Sequence, residues 1–216
     1  MDFANAFSIE NLMFILDGFY MTLKVAFFSI IFSFVLGSIV GIIRYMKVPV
    51  LSPILALLVE LLRNLPLLLI IFFARFALPD IGIQLGPVYA AIVALTLFEG
   101  AMISEIVRSG LNSIDKGQIE AARSSGLGYM RTLWHIVLPQ GLRRMVPPLV
   151  SQFISLLKDT SLAVVISLPE LMNQSKIVIG QNNHYVIPVL LLAAVLYFTV
   201  NYALSLIAKR LETKIV

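Results

Sequence analysis

"KGQIEAARSSGLGYMRTLWHIVLPQ", residues 116–140, is polar and basic yet patterned as helix, in a chain that is otherwise lipid-soluble. Of the 216 residues, 59% are hydrophobic and only 13% charged, with a mean hydropathy of +0.95. A soluble domain carries about a quarter of its residues as charges. Apolar runs of roughly 20 residues are long enough to cross a bilayer. With no partners for backbone groups in lipid, each run must close its own hydrogen bonds as a helix. The composition therefore predicts a single all-α integral membrane domain over residues 1–216, and the charged stretch has to sit at its surface.

Working outward, five apolar runs read as transmembrane helices, at about 19–43, 54–76, 88–107, 146–168 and 185–208. Ser29, Ser33, Gly37 and Gly41 recur every four residues on the first, a small-residue face for close packing against another helix. The second is interrupted by "ELLRNLP", residues 60–66. The connection "PELMNQSKIVIGQNNH", residues 169–184, is polar, with room for a short interfacial helix.

Lysine and arginine set the orientation. Eleven fall on one side: Arg44, Lys47, six in the loop 108–145, and Lys209, Arg210 and Lys214. Lys176 stands alone on the other. This predicts the N-terminus outside, the C-terminus in the cytoplasm, and residues 108–145 as a cytoplasmic loop. The first 19 residues contain no lysine or arginine, so they lack the basic region of a signal peptide and no cleavage is expected. The net charge of +4 has the same origin, and nucleic-acid binding is not expected. There is no cysteine, which excludes a disulfide framework and a thiolate metal site.

The opening stretch carries helix punctuation. Asp115 can cap an N-terminus, Gln118 holds the capping-box position, and Gly126 can end the helix in a left-handed conformation. That gives about ten residues, or roughly 15 Å, too short to span. A second short helix, residues 129–138, is expected to stop at Pro139. Lying on the membrane is one use for such a helix. Its apolar face is thin, however, essentially Ile119, Ala121 and Ala122, and alanines let another backbone approach closely. That favours docking into a protein partner.

"EAARSSGLGYMRTLWHIVLP" matches the EAA motif, E-A-A-x3-G-x9-I-x-L-P, at every defined position. In this the chain resembles the permease subunits of binding-protein-dependent ABC importers. "ELLRNLPLLL", "ISEIVRSGLNSIDKGQIEAARSSG", "VLPQGLRRMVPPL" and "LLKDTSL" are similar to the polar-amino-acid subfamily, of the glutamine, arginine and histidine type, and the likeness covers essentially the whole chain. One departure is "LFEGAMISE", where many relatives carry Gly-Ala-Tyr before the acidic residue. The resemblance implies a type I ABC importer permease fold, with the EAA helix as the coupling helix. Glu120, Ala121, Ala122 and Gly126 would then meet a separate ATPase subunit. No G-x-x-x-x-G-K phosphate loop occurs here, so ATP and Mg belong to that partner and the chain binds no cofactor of its own.

Charges inside the spans are costly and face a bundle interior or a watery path. Glu60 with Arg63, and Glu105 with Arg108, can pair three residues apart. Lys158 and Asp159 are neighbours that point about 100° apart and cannot satisfy each other. With the hydroxyls of Thr160 and Ser161 they offer a cation and an anion to a zwitterionic solute. Glu99 lies deep in the third span, and Asn64 adjoins the break at Pro66. The resemblance places a mid-membrane pocket around such positions, so Thr22, Arg63, Asn64, Glu99, Lys158, Asp159, Thr160 and Ser161 are the substrate-pathway candidates. His135 and His184 lie on opposite sides in this topology and form no metal site, and no nucleophile–base set suggests an enzyme. Trp134 reads as an interfacial anchor.

The sequence thus predicts a permease subunit for uptake of a polar amino acid across a bacterial or archaeal cytoplasmic membrane. A second permease subunit, ATPases inside, a solute-binding protein outside and membrane lipid are its expected partners. The rival reading is a secondary carrier or channel that works without an ATPase, although the internal repeats common in carriers are not evident. A membrane-embedded interaction protein is a third class, for which the buried charges would be dispensable.

Overall fold

The computed structural model describes residues 1–215, with side chains through Arg210; Lys214 falls outside the described side chains. A short α1 (Phe3–Ala6) precedes α2 (Ile9–Tyr45), followed by α3 (Leu51–Asn64), α4 (Leu67–Phe72) and α5 (Pro87–Asn112). Then come α6 (Lys116–Ser124), α7 (Tyr129–Thr132), α8 (Leu138–Asp159), α9 (Leu171–Gln181) and α10 (Val186–Ile215). All regular structure among the described residues is helical. Four helical stretches are long and apolar enough to cross a membrane, and α3 with the α4 region forms a further bent pair.

The first long helix reaches beyond the expected run at both ends. Its 37 residues span about 55 Å, nearly twice the roughly 30 Å of bilayer hydrocarbon. Ser8 caps it by accepting from the Asn11 amide, and the acidic Glu10 sits in its first turn, where the helix dipole favours it.

The packing of α2 on α5 organises the molecule. Ser29, Ser33, Gly37 and Gly41 are all buried, so the four-residue small face does what its spacing implies. A Cβ added at Gly37 would lie 2.7 Å from the Gly100 carbonyl oxygen, and one at Gly41 2.7 Å from the Ser104 carbonyl oxygen. Numbers rise together along both helices, so α2 and α5 run parallel. By contrast, Gly110 meets Met145 while Glu99 meets Gln152, so α8 runs antiparallel to α5. The chain between α2 and α5 must therefore return across the bundle, and α3 with α4 makes that return.

That return is broken. Leu65 is extended, as a residue before proline prefers, and α3 and the segment after Pro66 meet at 105°. The interruption expected at 60–66 is a bend in the path and not a tolerated kink. A π-helical turn, Phe73–Ala77, follows, and the Arg75 guanidinium donates to the Leu85 carbonyl at 3.0 Å, tying the loop before α5 back.

The segment 129–138 departs from expectation. Its helix does not stop at Pro139. It passes through a π-helical turn, Leu133–Val137, and continues as α8. Pro139 falls two residues past that turn, inside the continuous helix. The π turn just before it widens the spiral, relieving the clash of the ring with the carbonyl four residues back. Helix α5 is central: 56% of its apolar window is buried, against 17% for that of the last helix. Leu57, Phe73, Val195 and Phe198 lie exposed on the outside, as lipid or another membrane subunit would require.

Gly37→Val forces a branched side chain into the α2–α5 seam, and overpacking of this kind costs about 1–3 kcal/mol or more. Gly86→Ala is the matched control, because a Cβ there meets nothing within 4 Å. The Gly37 variant is expected to lose several degrees of thermal stability in detergent while the Gly86 variant stays near wild type. Equal melting of the two contradicts the seam.

Candidate functional site

The end of the bundle below α5 begins with α6. Asp115 caps it, its Oδ1 accepting from the Gly117 amide at 2.7 Å. Gln118 does not complete a capping box; its Oε1 instead accepts from Gln140 Nε2 at 2.6 Å. This bond ties α6 to the start of α8. Gly126 has φ +85°, so the helix ends in the left-handed conformation its glycine suggests. Glu120 and Ala121 are exposed, whereas Ala122 is buried against the body. Behind α6, Ala121, Ala122, Ser125, Leu127 and Ile136 line a cleft of ≈ 420 Å³. The helix is thus about 14 Å long, anchored on one side and bare on the other.

A larger cavity of ≈ 500 Å³ lies between α3, α5 and α8. Arg63, Glu105, Ser109, Arg144 and Gln152 are among its walls. Glu105 is held by two cations: Arg44 Nη1 stands 3.0 Å from its Oε2, and Arg108 pairs with its Oε1. The expected Glu105–Arg108 pair is present, and Arg44 joins it from α2, also donating to Ser104 Oγ at 3.3 Å. The expected Glu60–Arg63 pair is not formed. Asn64 instead donates to the Glu60 carbonyl at 2.7 Å, and Arg63 turns to the cavity. Arg144 donates to the Ser113 carbonyl, closing the cavity's lower edge.

Glu99 lies deeper, fully buried. Gln152 Nε2 donates to its Oε2 at 2.6 Å, and its Oε1 has no hydrogen-bond donor. Asp159, from the end of α8, brings its carboxyl within interaction range of Glu99. Lys158 is exposed, beside Asp159 but without a salt bridge to it, as adjacent helical positions require. Thr160 and Ser161 each donate to the carbonyl three residues earlier, at 2.7 Å. Asn64 is exposed on α3.

Thr22 belongs to a separate knot of polar contacts around the start of α9. Its hydroxyl accepts from the Leu171 amide at 3.1 Å, fixing the start of α9 to α2. Glu170 caps α9, accepting from the amides of Met172 at 2.9 Å and Asn173 at 2.7 Å, and from Tyr197 Oη at 3.3 Å. Burial pushes the Glu170 carboxyl up to about 7, against the pull of these donors. A Cβ at Gly18 would meet the Gln174 side chain at 2.5 Å, so α9 lies directly on α2.

The structure therefore brings Glu99 and Asp159 together and places Arg63 on the neighbouring cavity, while Thr22 serves α9 instead. Sequence reasoning missed Gln152, Arg44 and Glu170. Gln152 is a polar residue in the fourth apolar run, the same signal that marked Glu99. Arg44 pairs across 61 residues, which no local spacing reveals.

Comparison with known proteins agrees with this geometry. The family model for the binding-protein-dependent transport system inner membrane component matches residues 12–216. The chain is 66% identical to the probable glutamine ABC transporter permease protein GlnP of Bacillus subtilis (strain 168), covering 99% of each. It is 38% identical to the probable glutamine ABC transporter permease protein GlnM of the same organism, over 95% of each. Among solved structures, an amino acid ABC transporter with histidines superposes with a TM-score of 0.91 at 25% identity, covering 99% of each chain. The MetNI methionine ABC transporter in an inward-facing conformation gives 0.76 at 25% identity, over 94% of this chain and 99% of that one. With this match over nearly its whole length, the chain belongs to the inner membrane component family of binding-protein-dependent transport systems.

Proposed function

We propose that the chain is the membrane permease of an ATP-driven importer that brings a polar amino acid, glutamine in the first instance, into the cytoplasm. The observation that carries this reading is α6, a short capped helix with a bare face and a left-handed glycine at its end. A transporter powered by a separate subunit needs such a stiff contact. Glu120, Ala121, Ala122 and Gly126 are its coupling residues, and ATP and Mg act on the partner ATPase. The name of the 66% identical relative supports glutamine as the solute.

In this reading the single membrane domain crosses five times, with the bent α3–α4 pair as the second crossing. The N-terminus lies outside and α6 in the cytoplasm. The parallel run of α2 and α5 supports the odd number of crossings, and the lysine and arginine bias supports the sidedness. Two permease subunits form the pathway in the bacterial cytoplasmic membrane, with two ATPases inside and a solute-binding protein outside. Solute passes Glu99, Lys158 and Asp159 and leaves through the cavity lined by Arg63, Glu105 and Arg144. Asn64, Thr160 and Ser161 remain pathway candidates beside it, and Thr22 acts on the pathway through α9.

Gly126→Val places a β-branched residue at φ +85°, a conformation it strongly disfavours. The complex is expected to assemble and keep basal ATP hydrolysis. Solute-loaded binding protein should no longer stimulate that hydrolysis, and uptake should fall at least tenfold. Normal stimulation and uptake at normal expression would remove α6 from the coupling role.

A further inference from the structure

Between Glu120 and Asp159 the chain contains no aspartate or glutamate, yet it holds Arg123, Arg131, Arg143, Arg144 and Lys158. Two of these cations have acceptors within the chain: Arg123 donates to the Leu127 carbonyl at 3.4 Å, and Arg144 donates to the Ser113 carbonyl. Arg131 and Arg143 are exposed and form no ion pair among the described residues. Both stand on one continuous helical run, Tyr129–Ile166, of 38 residues. Such a run is about 57 Å long, against roughly 30 Å of bilayer hydrocarbon. No charged residue occurs from Met145 to Leu157, so the excess length falls at the beginning, at the level of lipid headgroups. There the residues fall into two rows of four-residue spacing, and such rows run side by side along a helix. Met130, Trp134, Leu138 and Leu142 make one row, and Arg131, His135, Pro139 and Arg143 the next. Met130 is 51% exposed, Trp134 61% and Leu142 46%. The opposite side is occupied: Leu133, Val137 and Met145 pack with Leu111 and Ile114, and Ile136 and Gln140 turn toward α6.

We propose that these two rows form a binding face for the headgroups of anionic phospholipids, which pins the start of α8 to the membrane surface. Lipid phosphates accept from Arg131 and Arg143, while Trp134 sits at headgroup level, where its ring and N–H are both at home. Met130 and Leu142 lie among the upper acyl chains. Charge decides the occupant. A second copy of the chain seated on the same face would set arginine against arginine, with no carboxylate from residue 121 to 158 to offset it. The ATPase is proposed above to meet α6, and α6 lies against the other side of this helix, tied to Gln140 through Gln118. A lipid leaflet offers both what the cations need and what the bare tryptophan, methionine and leucine need. The site stands whether or not the chain imports an amino acid.

The test reconstitutes the full-length chain in phosphatidylcholine vesicles and reads the fluorescence of Trp134, the only tryptophan in the sequence. Lipid brominated high on its acyl chains quenches a tryptophan that it touches. It is supplied as phosphatidylglycerol or, in equal amount, as phosphatidylcholine. Brominated phosphatidylglycerol is expected to reach the same quenching at about threefold lower content, as two arginines at a lipid surface imply, and high salt should shrink that preference. Arg131→Gln combined with Arg143→Gln should be quenched equally by the two lipids, whereas Arg131→Lys combined with Arg143→Lys should keep the preference. The wild-type comparison needs no variant, so it decides the matter even where the glutamine pair fails to insert. Equal quenching of the wild type by the two lipids overturns the anionic site, and no quenching by either overturns the lipid-facing surface altogether. Quenching that disappears when the ATPase subunits are added assigns the face to that partner and overturns the proposal as well.

Discussion

Everything in this molecule hangs on how closely two backbones approach. Helices α2 and α5 come near enough at Gly37 and Gly41 that a single methyl would collide with a carbonyl of the other helix. In lipid there is no hydrophobic gain from such contact, so van der Waals packing of small residues has to supply it. The seam makes α5 the axis of the bundle. It sets Ser104 and Glu105 beside Arg44 at one level and holds Glu99 opposite Gln152 and Asp159 at another. Because the two helices run parallel, it also dictates that the chain between them must return.

The same constraint connects the two ends of the site. Helix α5 leads directly through Ser113 and Ile114 into the Asp115 cap of α6, and α6 is tied by Gln118 to Gln140 at the start of α8. Helix α8 in turn carries Gln152 and Asp159 to Glu99. A push on α6 therefore acts on the two helices that supply the buried carboxyl pair. The paired charges of Arg44, Glu105 and Arg108 lie between, at a level where the cavity opens. This continuity gives the coupling role proposed for α6 a physical route to the buried carboxyls, built from rigid helices and not from loops.

Much of this was legible in the sequence. The small face at Ser29, Ser33, Gly37 and Gly41, the Asp115 cap, the left-handed Gly126 and the Glu105–Arg108 pair are local patterns, and local patterns survive into the fold. The break at Pro66 was visible, though its 105° bend was not. Reading Pro139 as a stop failed because a π turn, which has no sequence signature of its own, absorbed the proline. Glu60 and Arg63 stood at the right spacing yet did not pair, and Arg63 lines the cavity instead. The links that define the site, Arg44 to Glu105 and Gln152 to Glu99, span more than fifty residues and depend on helix direction. Only the folded bundle settles which polar groups meet.

The sidedness of the loop that follows α5 tests the whole arrangement most directly. The protein has no cysteine, so a single one is a clean label. Ser113 is exposed at the end of α5, and Gln181 is exposed at the end of α9. A membrane-impermeant thiol reagent applied to intact cells is expected to modify a cysteine at Gln181 and to leave one at Ser113 untouched until the membrane is opened. Ser113 reacting from outside would contradict the cytoplasmic place proposed for α6, and both cysteines reacting from the same side would contradict the crossing of α8 between them.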